Sequence, residues 1–534
     1  VWAPAAVRRF LVRGAQEKIL EEENQMKLRK ILSLALALTM MLALVPVASV
    51  AEEEVTDQYR ITDEPVTLKL IRSDNSNQPM QLGNEVLQAI EKYTGVKLEI
   101  EAIAGSDFTT KTEMLIATGA EYDIMYDCYY VANYAGQGAF LDVSQYLDEM
   151  PNLKALFEQY PDLNKLYTGD ALYQIPVLSR VAYRMGRSPQ MRSDLLAETG
   201  MAVPTNYTEL YEVLKAIKAN HPDMYPIGNR NGTANLMVCY SYSFGTGYES
   251  NGVYWEPTQN KYVFGPLSDE FMTMLQWFAD AYKDGLLDPD YAVVTSTQWQ
   301  ERLSSGQNCF FYDNPTFATN FNAALASTNA DAKFEPVEVP ASGDTHRGLY
   351  YNKHDMGATV INADSKYPEI ACKLMDFLYS DFGCTLTNFG IEGETYKVND
   401  EGKPEILDEE VSAFTDASDP MRALFGKYSL GKLGIARYID DTAQDKFINA
   451  ELASWYDLWG SWSFMEEPVM DPAFTTEENE ELAELKSEVT DILTTSYDAF
   501  IMGQRPVSEW TQVQDQIRAS AERICEIYNA AAAR

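Results

Sequence analysis

Hydrophobic and polar positions from residue 66 onward change period several times, and each change predicts an element. Residues 66–72 (VTLKLIR) read as a strand. In the following MQLGNEVLQAIEKYTG, Leu82, Val86 and Ile90 recur at i, i+4 and i+8, and Gly95 stands where a helix commonly ends in a left-handed glycine. Residues 96–102 alternate strictly, with Val96, Leu98, Ile100 and Ala102 on one face and Lys97, Glu99 and Glu101 on the other. A second helix over 109–118 and a third strand over 122–126 complete the order β-α-β-α-β. Segments of these lengths predict a parallel sheet with crossover helices.

A second α/β region follows the strand-like LYQIPV at 172–177. VPTNYTELYEVLKAIKAN predicts a helix carrying Leu210, Leu214 and Ile217, with Pro204 ahead of it. EFMTMLQWFADAYKDG places Phe271, Met274, Leu275, Phe278 and Tyr282 on one helical face and ends at Gly285. Residues 335–339 and 356–361 read as strands. YPEIACKLMDFLYSDFG reads as an amphipathic helix through Ile370, Leu374, Phe377 and Leu378. The C-terminal third is mainly helical, with an acidic helix start at 475–488 and a long run over 510–532.

The N-terminal pattern is of another kind. From Met26, the cations Lys27, Arg29 and Lys30 precede an apolar stretch at 31–47 and the small residues Ser49, Val50 and Ala51. This predicts a signal peptide over 26–51, cleaved after Ala51, with no lipid-anchor cysteine behind it. Residues 1–25 read as an over-extended reading frame. The chain of 534 residues is 46% hydrophobic and 12% aromatic, enough for two or more globular domains. A formal net charge of −38 argues against nucleic acid and anionic membrane surfaces as partners. Six cysteines at 128, 239, 309, 372, 384 and 525 form no metal spacing, and Cys372 with Cys384 is the one pairing considered.

Several segments in order resemble the solute-binding proteins of sugar-type ABC importers, in their long-chain oligosaccharide-binding branch. They are YTGVKLEIEA, IATGAEYDIMY, GAFLDVSQYLDEMPNL, ALYQIPV, RSDLLAETGMAVPTNYTELYEVLKAIK, WFADAYKDGLLDPD, YPEIACKLMDFLYSDFG and GIEGETY, within residues 66–396. The resemblance implies an α/β, two-lobed periplasmic-binding-protein-like fold (type II) with interlobe crossing strands and a helical C-terminal region. It implies lobe 1 over 60–180 and 310–375 and lobe 2 over 181–309, with 376–534 mainly in lobe 2 and C-terminal helices. Ligand would lie in the cleft between lobes. Members often carry a DxDGNG-like calcium loop after the helix that follows the PT motif. Here that place reads ANHPDMYPIGNRNG, without the run of carboxylates a calcium loop needs. No metal and no cofactor is expected.

Candidate ligand contacts follow from where aromatic and amide side chains leave the strands. Asp127, Tyr129, Tyr130 and Tyr134 stand just past the third strand, where ligands bind in open α/β sheets. A tyrosine ring covers the C–H face of a pyranose and its hydroxyl meets the polar rim, or the ring packs beneath its own loop. Trp455, Trp459 and Trp462 recur at i, i+4 and i+7, which reads as a core stripe or as a stacking platform. CFFYDNP suggests a buried Phe310 and Phe311 crossing between lobes, with Tyr312, Asp313 and Asn314 emerging into the cleft. Trp299, Tyr351, His354, Glu392 and Asn75 complete the set. Arg180, Arg184, Arg187 and Arg192 cluster near the first crossing. They make salt bridges to surface carboxylates, or Arg184 and Arg187 contact an acidic sugar.

A secreted glycoside hydrolase or lyase would need two positioned carboxylates, which an acidic chain can always supply. No GxSxG, HExxH or phosphate-cradling glycine loop accompanies them, and His221, His346 and His354 have no metal spacing. The reading is therefore a monomeric, non-enzymatic extracytoplasmic protein that captures an oligosaccharide and delivers it to membrane permease subunits. A sugar-sensing subunit on the same fold is the other alternative.

Overall fold

The computed structural model describes residues 58–128, 130–180, 185–249, 251–351, 358–415, 417 and 419–534. The expected signal peptide, Tyr129, Arg184 and His354 lie outside these residues. By its contacts the chain divides into a small unit, residues 1–65 with 90–96, and a large one, residues 66–89 with 97–534. In the small unit the Ile61 and Thr62 amides donate to the Thr94 carbonyl at 2.9 and 3.3 Å.

The large unit holds two principal sheets. The first has five strands in the order Val96–Ala104, Val66–Asp74, Ile124–Met125, Ala358–Ile361, Ile175–Pro176. Val66–Asp74 and Ile124–Met125 run parallel, Leu70 opposite Ile124, as the β-α-β-α-β reading requires. Ala358–Ile361 then enters antiparallel to both of its neighbours. Ile71, Met125, Phe140 and Val360 form the core on this side, joined by Phe108 of the helix Phe108–Thr118.

The second sheet has the order Phe334–Pro336, Ser188–Arg192, Phe310–Asp313, all antiparallel. All four residues of Phe310–Asp313 are buried. Helices Tyr207–Asn220 and Asp269–Lys283 cover it through Leu210, Leu214, Phe271 and Phe278. The boundary expected at 309 is therefore displaced. Phe310 and Phe311 do not cross between lobes; they pair with Gln190 and Met191, and the chain rejoins the first sheet only at Ala358–Ile361.

The C-terminal stretch is likewise divided. Asp376 accepts from the Leu153 amide at 2.8 Å and from Asn152 at 2.7 Å, and Asn84 donates to Ser429 at 2.6 Å. Asp376 and Ser429 are thus tied to elements beside the first sheet, while Asp419 accepts from Asn320 of the helix Phe317–Ala326 at 3.4 Å. Trp455, Trp459, Leu493 and Trp510 join the hydrophobic cluster that holds Phe310. The closing helices Thr476–Ile501 and Trp510–Ala532 pack along each other. The first begins in a capping box, Thr475 with Glu478, where the acidic run predicted a helix start. All six cysteines are free thiols, so Cys372 and Cys384 are not bonded.

Candidate functional site

The two connections between the sheets are paired where their ends are described. At one end Ile175–Pro176 pairs with Ala358–Ile361. At the other, Gly186 bridges Tyr350, and the Tyr351 amide donates to the Met185 carbonyl at 2.9 Å. A Cβ at Gly186 would run into the Leu349 carbonyl, so only glycine allows this approach.

Beyond Gly186 the register fixes the neighbours of Arg187. Ser188 lies opposite Asp313, which brings Arg187 to the end of the sheet where Phe310–Asp313 terminates. The Arg187 guanidinium lies 5.9 Å from the centre of the Tyr351 ring. Asp313 is buried and receives the Arg230 fork at 2.7 and 2.9 Å. Burial opposes its charge, but Arg230 overrides that and holds the Asp313 carboxyl below the usual range. Arg230 is itself clamped by Ser296 at 3.0 Å and by the rings of Trp299 and Phe317, 5.0 and 5.1 Å away. Arg187 is exposed and, among the described residues, makes no ion pair.

Glu249 completes the group. Its side chain is reached by solvent, yet surrounding protein desolvates it and pushes the carboxyl up to about 7, against the pull of Arg187 and Arg347. Arg347 is committed elsewhere, to Glu256 at 3.0 Å and the Tyr242 carbonyl at 3.0 Å. A cavity of about 1130 Å³ lies on that side, lined by Glu256, His346, Arg347 and Glu466. Neither Arg187 nor Asp313 belongs to its wall.

On the first sheet, Asp127 follows Tyr126 with φ +59°, a conformation that non-glycine residues rarely adopt. Beneath it the Tyr126 ring is covered by the Arg437 guanidinium at 3.7 Å, and Arg72 is buried alongside. Burial and Arg437 lower the Arg72 pKa, while Asp127 works the other way. Asp127 is thus the partly exposed carboxylate above two buried cations.

The other expected contacts are distributed differently. Tyr130 binds the Thr112 hydroxyl and meets Tyr134 edge to face at 6.0 Å; both rings pack on the first-sheet core. Trp299 is enclosed by Phe311, Phe317 and Phe321, and Tyr312 lies against Tyr240. Trp455, Trp459 and Trp462 are buried in the large cluster, so the stripe is core and not a platform. Asn75 and Asn314 use their side-chain oxygens in their own turns, accepting from the amides of Asn77 and Thr316. Glu392 is exposed in a turn held by Thr395, which accepts from the Ile391 amide at 2.6 Å. Arg180 and Arg192 are salt-bridged, to Asp381 and Asp194. Sequence reasoning did not single out Arg230, Glu249, Arg72 or Arg437; an arginine in IGNRNG or a glutamate in GTGYES carries no signal of its own.

The loop compared with a calcium site holds a cation of its own making. Lys218 Nζ donates to the Pro222 and Met224 carbonyls, each at 2.7 Å, and lies 4.5 Å from the centre of the Tyr225 ring. Carbonyls that a hard cation could use are occupied, and Asp223 is exposed. These residues do not fit calcium. Among the described residues no group of three or more His, Cys, Asp or Glu could hold a metal.

Comparison with known proteins agrees with this architecture. The lipoprotein LipO of Bacillus subtilis (strain 168) is 25% identical over 59% of this chain and 64% of its own length. The polygalacturonan/rhamnogalacturonan-binding protein YtcQ of the same organism is 21% identical over 64% of this chain and 69% of its own. The match to LipO thus spans just under two thirds of that protein. In three dimensions the alginate-binding protein AlgQ2 without calcium superposes with a TM-score of 0.77 at 20% identity, covering 89% of this chain and 99% of AlgQ2. That likeness gives the fold, two lobes of mixed helix and sheet. With residues 75–381, more than half of the chain, also matching the model of the bacterial extracellular solute-binding proteins, the chain belongs to that family.

Proposed function

We propose that the chain captures an oligosaccharide outside the cytoplasm, in the cleft between its lobes, and delivers it to the permease of an ABC importer. The observation that carries this reading is the convergence of Arg187, Tyr351 and Asp313 where two paired crossing segments enter the second sheet. A crossing pair of this kind is a hinge, and the ends of sheet strands are where α/β folds bind ligands. The polysaccharide-binding proteins YtcQ and AlgQ2 support the cargo class. On the opposite lobe Asp127 is offered to the same cargo.

Ligand touching both lobes shifts the population towards a closed form. Export through the signal peptide, cleavage after Ala51 and a monomeric state belong to the same reading. No observation favours a hydrolase: Asp313, the buried carboxylate at this end of the sheet, is tied to Arg230. A glycan array followed by calorimetry tests the proposal. One-to-one binding without released product supports it; cleaved product, or no binding to any saccharide, overturns it.

A further inference from the structure

We infer that Arg187 is a specificity-determining residue that reads a carboxylate, so that the captured oligosaccharide contains a uronic acid. This rests on the saccharide-binding reading and narrows it. Four arginines lie near the first crossing, and the two others described, Arg180 and Arg192, have their charge met by Asp381 and Asp194. Arg187 does not. Among the described residues, the carboxylates named as acting on it are Asp313 and Glu249. Asp313 is already neutralised by the two-pronged Arg230 contact. Glu249 is desolvated and is driven towards its neutral form. Among the described residues Arg187 therefore has no carboxylate in a direct ion pair, while the chain as a whole carries a net charge of −38.

The geometry suits a planar anion. A guanidinium offers a fixed fork that matches a carboxylate with two parallel hydrogen bonds. The Tyr351 ring below it limits how the fork can turn. A neutral Glu249 has an O–H to donate, so it adds a hydrogen bond to a ligand carboxylate instead of repelling it. A neutral sugar would leave the Arg187 charge desolvated by ligand and unpaired, which is the costly outcome for a buried ion. Long-range attraction plays no part, because the whole chain repels anions. Recognition depends on this one residue at close range.

Calorimetry on the exported chain tests the inference, using trimers of galacturonate, mannuronate and guluronate at pH 6.5. Each is compared with its methyl ester, which keeps the shape and removes the charge, and with neutral malto-, xylo- and fructo-trimers. At least one acidic trimer is expected to bind, with its ester weaker by about tenfold or more. R187Q is expected to abolish that difference, and R187K, which keeps the charge without the fork, to restore part of it. If R187Q does not fold, the acid-against-ester comparison on the unaltered chain decides by itself. Tight binding of a neutral trimer with no preference for any acid overturns the inference and leaves the saccharide reading standing. Failure of every saccharide to bind overturns both.

Discussion

A carboxyl group crowded by protein but still reached by solvent loses more in hydration than nearby cations return, and Glu249, with Arg187 and Arg347 acting on it, is in that position. Burial raises its pKa from 4.5 to about 7, so between those values the folded chain holds a proton that the unfolded chain has released. The sign follows from linkage: this contribution to stability is fully present below about 4.5 and is lost as pH rises through about 7. E249Q keeps a neutral side chain at every pH. Melting temperatures of the two proteins should coincide near pH 4.5 and diverge by pH 8, with the variant higher. A difference that stays flat across pH would sink the assignment. Trp299 makes the opposite point about reading a site from sequence. Aromatic residues are needed by cores and by sugars alike, and a tryptophan amid three phenylalanines has no face left for a ligand. W299A should destabilise the fold by about 3–5 kcal/mol, as other large truncations in cores do, measured by denaturant unfolding. A variant that melts normally but loses saccharide affinity would return Trp299 to the cleft.

Among the elements, those with a periodic pattern and a proper end were legible, and those whose meaning lies in a distant partner were not. The final helix over residues 510–532 and the acidic start near 475 appear where the pattern placed them, because amphipathic spacing and a capping box are local. The short strand Phe310–Asp313 is buried throughout, and burial alone does not say in which sheet. Its pairing with Ser188–Arg192, more than a hundred residues away, decides that, and no local spacing reports it. The same holds for the site: Asp127 is announced by the end of its strand, whereas Arg230 acquires its role by meeting Asp313 across 83 positions. Lys218 is a local case with a testable consequence. Its ammonium ties the end of the helix Tyr207–Asn220 to two carbonyls of the next loop, the work a bound cation would do. K218M keeps the stem and removes the charge, and should cost roughly 1.5–3 kcal/mol, the usual range for hydrogen bonds to a charged group. The unaltered chain should melt at the same temperature with and without a calcium chelator. A chelator-sensitive melt would show that a metal supports this loop after all.

At the scale of the whole molecule, function rests on how the two sheets are joined. The segments that pass between them are paired at both ends, by Ile175–Pro176 with Ala358–Ile361 and by Gly186 with Tyr350. Paired segments bend together, so a small change of backbone angle at one level moves the sheets as bodies and does not tear the strands apart. Gly186 is where this arrangement is least tolerant, since the approach of the Leu349 carbonyl leaves no room for a side chain. Arg187 and Tyr351 stand one residue beyond Gly186 and Tyr350, so opening this contact would also displace the proposed carboxylate anchor. G186A should therefore weaken both the join and the ligand site, whereas a mutation confined to a ligand contact should weaken binding alone. Small-angle scattering of the unaltered chain should show a smaller radius of gyration once a binding saccharide is added. In G186A the contraction should be reduced even at saturating ligand, and the melting temperature should fall by several degrees. An unchanged contraction with normal affinity would mean that the hinge lies elsewhere, in the segment that returns through Tyr438–Ile439 beside Leu178–Ser179.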